Sequence, residues 1–123
     1  MFDHIGLRVK DLSASVRFYR AALEPLGHEL GSQDAAMAGF GSGGVSGLWL
    51  AHAPDAGERG VHLAFRAVDR AAVERFYKKG LAAGGRDNGA PGLRADYAPS
   101  YFAAFLIDPD GNNVEAVCLA PER

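Results

Sequence analysis

The sequence predicts an α+β fold built from two copies of one βαβββ module. The first observation is a repeat, since residues 4–27 align without a gap to residues 62–85 and nine of the 24 aligned pairs are identical. Unrelated segments of ordinary composition match at only about one or two positions in 24. The second observation is that strand-like and helix-like patterns follow each copy in the same order. We therefore predict a single domain over residues 1–123, with repeats at 1–53 and 61–120.

The elements of the first repeat follow from residue spacing. Apolar side chains alternate along the first segment, which is typical of a half-buried strand. Asp11 is a suitable N-cap for a helix that Gly27 would end. The predicted elements are a strand at Phe2–Val9, a helix at Leu12–Pro25 and strands at His28–Gly31, Ala35–Phe40 and Val45–His52.

The second repeat has the same start but a less regular middle. Asp69 is the predicted N-cap of its helix, and the Gly84-Gly85 pair ends it. Residues 86–100 are rich in glycine and proline, which predicts a long functional loop. The remaining predicted elements are a strand at Val61–Ala67, a helix to about Ala83, a strand at Tyr101–Ile107, a type I turn at Asp108-Pro109-Asp110-Gly111 and a strand at Asn113–Leu119.

Composition excludes several classes of partner. A net charge of −2 leaves no basic surface for nucleic acid, and no apolar run reaches the length of about 18 residues that a membrane span needs. The chain enters its first strand at once, so we expect no signal peptide. Cys118 is the single cysteine, which rules out an internal disulfide and favours a cytoplasmic location.

Two histidines and one glutamate form a candidate metal site. His4 and His62 occupy equivalent positions of the repeat, and Glu115 lies inside the apolar run Val114–Val117. A carboxylate that faces a core is costly unless it is paired or bound to a metal. Imidazole and carboxylate ligands suit Mn, Fe, Zn, Co or Ni, and three protein ligands leave positions open for substrate or water. The alternative is that Glu115 points to solvent from an edge strand.

Four further residues are candidates for substrate contact. Arg8 and Arg66 share the histidine face of their strands and could hold a small anionic, oxygen-rich substrate by paired hydrogen bonds. Alternatively, both guanidinium groups reach solvent from the strand ends. Tyr97 and Tyr101 flank the predicted loop and could donate a proton or a hydrogen bond during catalysis. Simple packing is the alternative for both tyrosines.

The quoted residues resemble one family along nearly the whole chain. The first strand with Asp11, the second histidine and the segment from Asp108 to Glu115 are similar to the vicinal oxygen chelate superfamily, and residues 87–101 look like those of bacterial glyoxalase-like proteins. The superfamily includes glyoxalase I, fosfomycin-resistance enzymes, extradiol dioxygenases, methylmalonyl-CoA epimerase and bleomycin-binding proteins. The resemblance implies a half-open, eight-stranded barrel around a divalent metal ion, and a homodimer.

The resemblance also shows a departure from glyoxalase I. In that enzyme a second acid, on the fourth strand, is a ligand and proton carrier, but Trp49 stands at this position here. Of three positions that contact glutathione in glyoxalase I, Arg8 matches while Ala53 and Glu58 do not. We therefore expect poor turnover of the glutathione hemithioacetal of methylglyoxal.

Two functions of different classes remain open. The first is a metalloenzyme in which an ion held by His4, His62 and Glu115 acts as a Lewis acid in lyase, isomerase or epoxide-opening chemistry, or supports dioxygenase-like Fe(II) chemistry. The second is a metal-free protein of the bleomycin-binding type that sequesters a flat small molecule. Its aromatic groove would consist of Trp49, Tyr97, Tyr101 and Phe102. The inward-facing histidines and glutamate favour the enzyme.

Overall fold

The computed structural model describes residues 1–56 and 60–121, and each repeat has the order strand, helix and three strands. The first repeat contains β1 (Ile5–Val9), α1 (Leu12–Leu23), β2 (Glu29–Gln33), β3 (Met37–Ser42) and β4 (Val45–His52). The second contains β5 (His62–Arg66), α2 (Arg70–Ala82), β6 (Arg86–Leu93), β7 (Phe102–Ile107) and β8 (Asn113–Cys118). The predicted α+β class and the two-module organisation are confirmed. Glu58 lies outside the described residues.

The two repeats form two sheets of identical topology. Their strand orders are β1-β4-β3-β2 and β5-β8-β7-β6, and only the first pair of each sheet is parallel. Gly6 pairs with Trp49 in one sheet, and Ala64, its equivalent in the repeat, pairs with Glu115 in the other. Trp49 therefore occupies the position of Glu115, as the sequence predicts. Over the described residues the two sheets do not join, so they do not close into a barrel.

Both helices begin at the predicted caps. The Asp11 side chain accepts a hydrogen bond from the Ala14 N–H, and Asp69 accepts one from Ala72. These contacts satisfy N–H groups that have no partner within the helix. The first helix ends before the predicted Pro25, because the chain continues as a short 3₁₀ turn until Gly27 adopts a left-handed conformation with φ of 89°. Neither helix has the length and apolar character that crossing a bilayer demands.

Alternation along the strands gives each sheet one covered and one uncovered side. Apolar residues such as Leu7, Leu50 and Leu106 are buried with the helices in a common core. Residues one position away point to the opposite side, because successive strand side chains alternate. We call this side the open face of each sheet. In the second sheet it carries His62, Phe105 and Glu115.

The predicted loop at residues 86–100 is wrong in its first half. Residues Arg86–Leu93 form β6, which pairs with β7 across two register shifts, one on either side of Gly89. Glycine and proline weaken a regular ladder, which is why the composition resembles a loop, but an edge strand accommodates them at bulges. The strand completes the second βαβββ module.

The turn between β7 and β8 links the two repeats through buried hydrogen bonds. Asp108 is 1% exposed and accepts hydrogen bonds from the Tyr19 hydroxyl of α1, the backbone of Asp110, and the backbone and side chain of Asn112. Asp110 in turn accepts the backbone N–H of Lys10, at 2.9 Å. The turn therefore holds the first repeat against the second.

The helices pack closely where two small residues of the repeat meet. Ala22 on α1 and Gly80 on α2 are equivalent positions and lie in contact, since a Cβ built on Gly80 would be 3.5 Å from the Ala22 Cβ. The same atom would overlap Leu106 Cδ1 on β7. The absent side chain of Gly80 thus lets α2 approach both α1 and the second sheet.

We expect Gly80→Ala to destabilise the protein. Alanine is favoured over glycine in a helix by about 1 kcal/mol, so the substitution would stabilise an isolated α2. In the folded chain the added methyl would collide with buried Leu106, and overpacking of this kind costs about 1–3 kcal/mol. Urea denaturation measures the difference, with Lys78→Ala on the exposed side of α2 as the control. Equal or higher stability of Gly80→Ala would contradict this close contact.

Candidate functional site

A cleft of about 320 Å³ lies on the open face of the second sheet. It is formed by the first residue of β5, by β7 and β8, and by the loop that precedes β7. The lining residues are His62, Tyr97, Tyr101, Phe105, Asn113 and Glu115. Four of these six are residues that the sequence singles out for chemistry. The structure therefore brings together His62, Glu115 and both candidate tyrosines.

His62 and Glu115 face each other across neighbouring strands. The His62 Nε2 lies 2.9 Å from Glu115 Oε1. The Glu115 side chain is 3% exposed while that of His62 is 50% exposed. The pair is therefore open to solvent on the histidine side and closed beneath the carboxylate. Glu115 does not point to solvent, which removes the alternative considered from its sequence context.

Tyr101 fixes the second oxygen of the same carboxylate. Its hydroxyl donates a hydrogen bond to Glu115 Oε2. Burial raises the pKa of Tyr101 to about 12, and the hydrogen bond and the charge of Glu115 contribute to the rise. The phenol therefore keeps its proton at neutral pH and acts as a donor. Both oxygens of Glu115 are thus oriented by partners on other strands or loops.

Aromatic rings form the walls around this pair. Tyr97 is 67% exposed and meets Tyr101 edge to face, with ring centroids 5.1 Å apart. Phe105 lies nearly parallel to the His62 ring, with centroids 6.4 Å apart. Offset stacking and edge-to-face contacts stabilise such clusters and limit the motion of the rings. The cleft therefore offers a flat apolar surface beside a polar pair.

His4 lies apart from this cleft. It precedes β1, its side chain is 59% exposed, and its Nδ1 contacts Asp3 at 2.7 Å. Within residues 1–56 and 60–121, no three acidic, histidine or cysteine side chains are close enough together to hold a metal ion. The predicted convergence of His4 with His62 and Glu115 is therefore not present within one chain. The physical reason is that the two open faces belong to separate sheets.

Trp49 covers the open face of the first sheet. A Cβ built on Gly39, its partner on β3, would lie 2.7 Å from the Trp49 Cζ3 atom. The six-membered ring of the indole therefore lies over the glycine of the neighbouring strand. Trp49 is not among the residues that line the cleft of His62 and Glu115, so it does not join the predicted aromatic groove within one chain.

Three further residues that were predicted to contact the substrate or ligand do not line the cleft either: Arg8, Arg66 and Phe102. Both arginines are exposed on their strands, and no described carboxylate forms an ion pair with them. Phe102 is a correction, because it packs against the core on the helix side, with Arg70 5.0 Å above its ring. Adjacent strand residues point to opposite faces, so Phe102 and Tyr101 do not share a surface.

Phe105 and Asn113 line the cleft but are absent from the sequence-based prediction. The signal for Phe105 was available, because it lies four residues after Tyr101 and therefore on the same face of the strand. Its contact with Glu115 required the register of β7 against β8, in which the two residues are direct partners. Asn113 pairs with His62 in the same way, across the parallel strands β5 and β8.

Comparison with known proteins identifies the family. A family model described as the Glyoxalase/Bleomycin resistance protein/Dioxygenase superfamily matches residues 1–116. The chain belongs to this superfamily. The resemblance seen in the sequence is therefore confirmed at the level of the family. A search of curated proteins found no match.

Solved structures of the superfamily share the fold over nearly the whole chain. A glyoxalase/bleomycin resistance protein from Albidiferax ferrireducens T118 has 29% sequence identity and a TM-score of 0.80, covering 96% of this chain and 98% of its own. A glyoxalase/dioxygenase from Nostoc punctiforme has 24% identity and a TM-score of 0.73, over 99% and 92%. A bleomycin resistance determinant encoded on the transposon Tn5 has 22% identity and a TM-score of 0.63, over 92% of both chains. The last two comparisons establish the fold alone.

Proposed function

We propose that this superfamily member is a divalent-metal enzyme whose His62 and Glu115 bind the ion. The observation that carries the proposal is the pairing of His62 Nε2 with Glu115 Oε1 at 2.9 Å in an open cleft. A nitrogen and a carboxylate oxygen are suitable donors for Mn, Fe, Zn, Co or Ni. When bound, such an ion supplies Lewis acidity to a substrate oxygen. The reaction class we favour is lyase or isomerase chemistry on a small oxygen-rich substrate.

The chain's own residues prepare the site for an ion. Tyr101 donates to one oxygen of Glu115 and leaves the other directed at His62. Hydrogen bonds to a ligand from its surroundings fix its orientation and improve metal affinity. The rings of Tyr97 and Phe105 surround the pair, so part of the bound substrate would be shielded from water. These features support a Glu115 carboxylate whose orientation already suits binding of an ion, rather than a carboxylate in a surface salt bridge.

We further propose that a homodimer supplies His4 as the third ligand. His4 and His62 are equivalent in the repeat and both are exposed, with His4 directly before β1 and His62 as the first residue of β5. Each chain therefore presents one histidine on the first sheet and a histidine–carboxylate pair on the second. Closed two-fold symmetry is the commonest arrangement of homo-oligomers. A two-fold dimer in which the first sheet of one copy faces the second sheet of the other would bring His4 of each copy to the pair of the other and create two equal sites.

Metal analysis of the purified, untagged protein tests the proposal. We expect about one divalent ion per chain after incubation with Mn²⁺, Fe²⁺, Zn²⁺, Co²⁺ or Ni²⁺ and gel filtration. His62→Ala should remove the ion, whereas His28→Ala, a histidine outside the cleft, should retain it. A folded wild-type protein that takes up none of these ions would refute the metalloenzyme.

A mixing experiment tests the shared site. His4→Ala and Glu115→Gln chains should each fail to hold the ion alone. In a re-equilibrated equal mixture, half of the dimers would contain one of each chain, and such a dimer has one intact shared site. About a quarter of the wild-type metal capacity should therefore return. No recovery in a mixture with proven chain exchange would show that His4 does not complete the partner's site.

A metal-free small-molecule binder is the second candidate. The exposed Tyr97, its edge-to-face contact with Tyr101 and the nearby Phe105 form an aromatic wall that suits a flat ligand. Binding of such a ligand should be unchanged by chelators and by Glu115→Gln, and should fall on Tyr97→Ala. The enzyme proposal predicts instead that Glu115→Gln weakens binding.

A further inference from the structure

A row of paired residues crosses the open face of the second sheet, starting at Glu115 and running away from His62. Glu115 on β8 is paired with Phe105 on β7, and Phe105 is paired with Gly89 on β6. Neighbouring strands lie about 4.8 Å apart, so the backbone of Gly89 is about 10 Å from that of Glu115. The row thus leads from the carboxylate, over an aromatic ring, to a glycine at the edge of the sheet.

A guanidinium group stands at the far end of this row. The Cζ atom of Arg94 lies 5.4 Å from the centre of the Phe105 ring, and one Nη donates a hydrogen bond of 2.7 Å to the Ala90 carbonyl. The Arg94 N–H also donates to the carbonyl of Tyr101, at 2.7 Å. Contact with an aromatic face favours a cation. The loop that supplies Tyr101 to Glu115 therefore also positions Arg94 over Phe105.

Two glycines of β6 leave room for the guanidinium. A Cβ on Gly92 would lie 3.0 Å from Arg94 Nη1, and a Cβ on Gly89 would lie 3.2 Å from Nη2 and 3.0 Å from Phe105 Cδ1. Gly89 also has a φ of +149°, which side-chain-bearing residues rarely adopt. Any larger residue at either position would crowd the guanidinium or the ring. The two glycines of the bulged strand β6 therefore allow the Arg94 guanidinium to lie in this position.

The charge of Arg94 is not neutralised by the described part of the chain. No carboxylate among residues 1–56 and 60–121 forms an ion pair with it. A guanidinium has five N–H donors, and the Ala90 carbonyl accepts from one Nη only. Donors and a full positive charge therefore remain for an external anion. Carboxylates, phosphates and phosphonates are the groups that match a guanidinium with two parallel hydrogen bonds.

We propose that Arg94 and the ring of Phe105 form an anion subsite for the substrate beside His62 and Glu115. The substrate class is then a small two-ended molecule, with an oxygen that would bind the ion at one end and a carboxylate, phosphate or phosphonate at the other. The two ends are separated by at most about 10 Å, two strand spacings. This inference rests on the proposed function for the oxygen-binding end, but the anion subsite itself requires no metal. It assigns to Arg94, which does not itself line the cleft but contacts the lining residue Phe105, the anchoring role that the sequence suggested for Arg8 or Arg66.

Calorimetric titration with 3-phosphonopropanoate tests the subsite. Wild-type protein should bind the probe both without metal and with Mn²⁺. Arg94→Met should weaken binding by about 10–100-fold, the usual effect of removing a hydrogen-bonded charge, and Arg94→Lys should have a smaller effect. Gly92→Ala keeps the charge but crowds its position and should also weaken binding. Arg8→Met and Arg66→Met are matched controls and should stay within about two-fold of wild type.

The result can overturn the subsite independently of the metal site. Binding by Arg94→Met as tight as wild type, a larger loss in Arg66→Met or Arg8→Met, or no binding by wild type at 10 mM probe would each refute it. Mn²⁺ binding, followed by electron paramagnetic resonance, is measured on the same samples and should survive Arg94→Met. Loss of probe binding in Arg94→Met, in a protein whose wild type takes up none of Mn²⁺, Fe²⁺, Zn²⁺, Co²⁺ and Ni²⁺, would support the subsite while refuting the metalloenzyme.

Discussion

Glu115→Gln is expected to lower the affinity for a divalent ion by at least about 100-fold while the chain stays folded. Removing a partner of a metal ligand already costs about 10–100-fold, and this change removes the only acidic side chain among the described residues that line the cleft. Glutamine has nearly the same volume and can still accept from the Tyr101 hydroxyl. The loss should therefore appear in metal binding rather than in packing. Equilibrium titration with Mn²⁺ measures the affinity, and circular dichroism checks the fold.

Two further variants test whether the loss of metal affinity is specific to this site or follows from the removal of any negative charge. Glu74→Gln removes an exposed carboxylate from α2 and should leave the Mn²⁺ affinity unchanged. Tyr101→Phe retains Glu115 but removes its hydrogen-bond donor, and we expect an intermediate loss of about 10–100-fold. If Glu115→Gln binds Mn²⁺ within about three-fold of wild type, Glu115 is not a ligand.

Asp108→Ala is expected to lower the free energy of unfolding by at least about 3 kcal/mol. The substitution leaves the Tyr19 hydroxyl, the Asn112 side chain and two backbone N–H groups without their acceptor. Each unsatisfied buried polar group costs about 1–3 kcal/mol. A domain of this size has only about 5–15 kcal/mol of stability in total. Urea denaturation measures the loss, and Asp96→Ala, at an exposed position, should change stability by no more than about 0.5 kcal/mol.

The same contact has a pH signature. Burial, reinforced by the charge of Asp108, holds the pKa of Tyr19 well above its usual value. Because folding raises the pKa of Tyr19, the protonated hydroxyl contributes fully to the stability of the fold below about pH 10. This contribution is lost as the pH rises toward the pKa of Tyr19 in the folded state. Wild type should therefore lose more stability between pH 9 and pH 11 than Tyr19→Phe does. Equal losses in the two proteins would show that Tyr19 does not make this contribution.

The fold was largely predictable because its signals are local. The helix caps Asp11 and Asp69, the alternation of apolar residues and the duplicated start of each module all act through neighbours in the chain. Residues 86–93 were the exception, since glycine and proline resemble a loop until β7 offers a partner. The duplication itself predicted a strand there, so the repeat was a better guide than composition.

The candidate site was predictable in its residue types and less so in its partners. Glu115 was identified because a carboxylate in an apolar strand needs a partner, and His62 and Tyr101 provide one. Phe102 was placed in the site through proximity along the chain, although alternation puts it with the core and Phe105 in the cleft. Arg94 gave no signal, because its position depends on a loop that returns to β7.

The sequence by itself determined that two related modules exist, where their helices begin and which residues are candidates for chemistry. These features depend on side-chain type and on spacing within one module. The tertiary structure decided which of those residues meet. His62 reaches Glu115 because β5 pairs with β8, while His4 lies with the other sheet. The parallel pairing of β5 with β8 joins residues about 50 positions apart, and the residue spacing within either strand does not specify which strand becomes its partner.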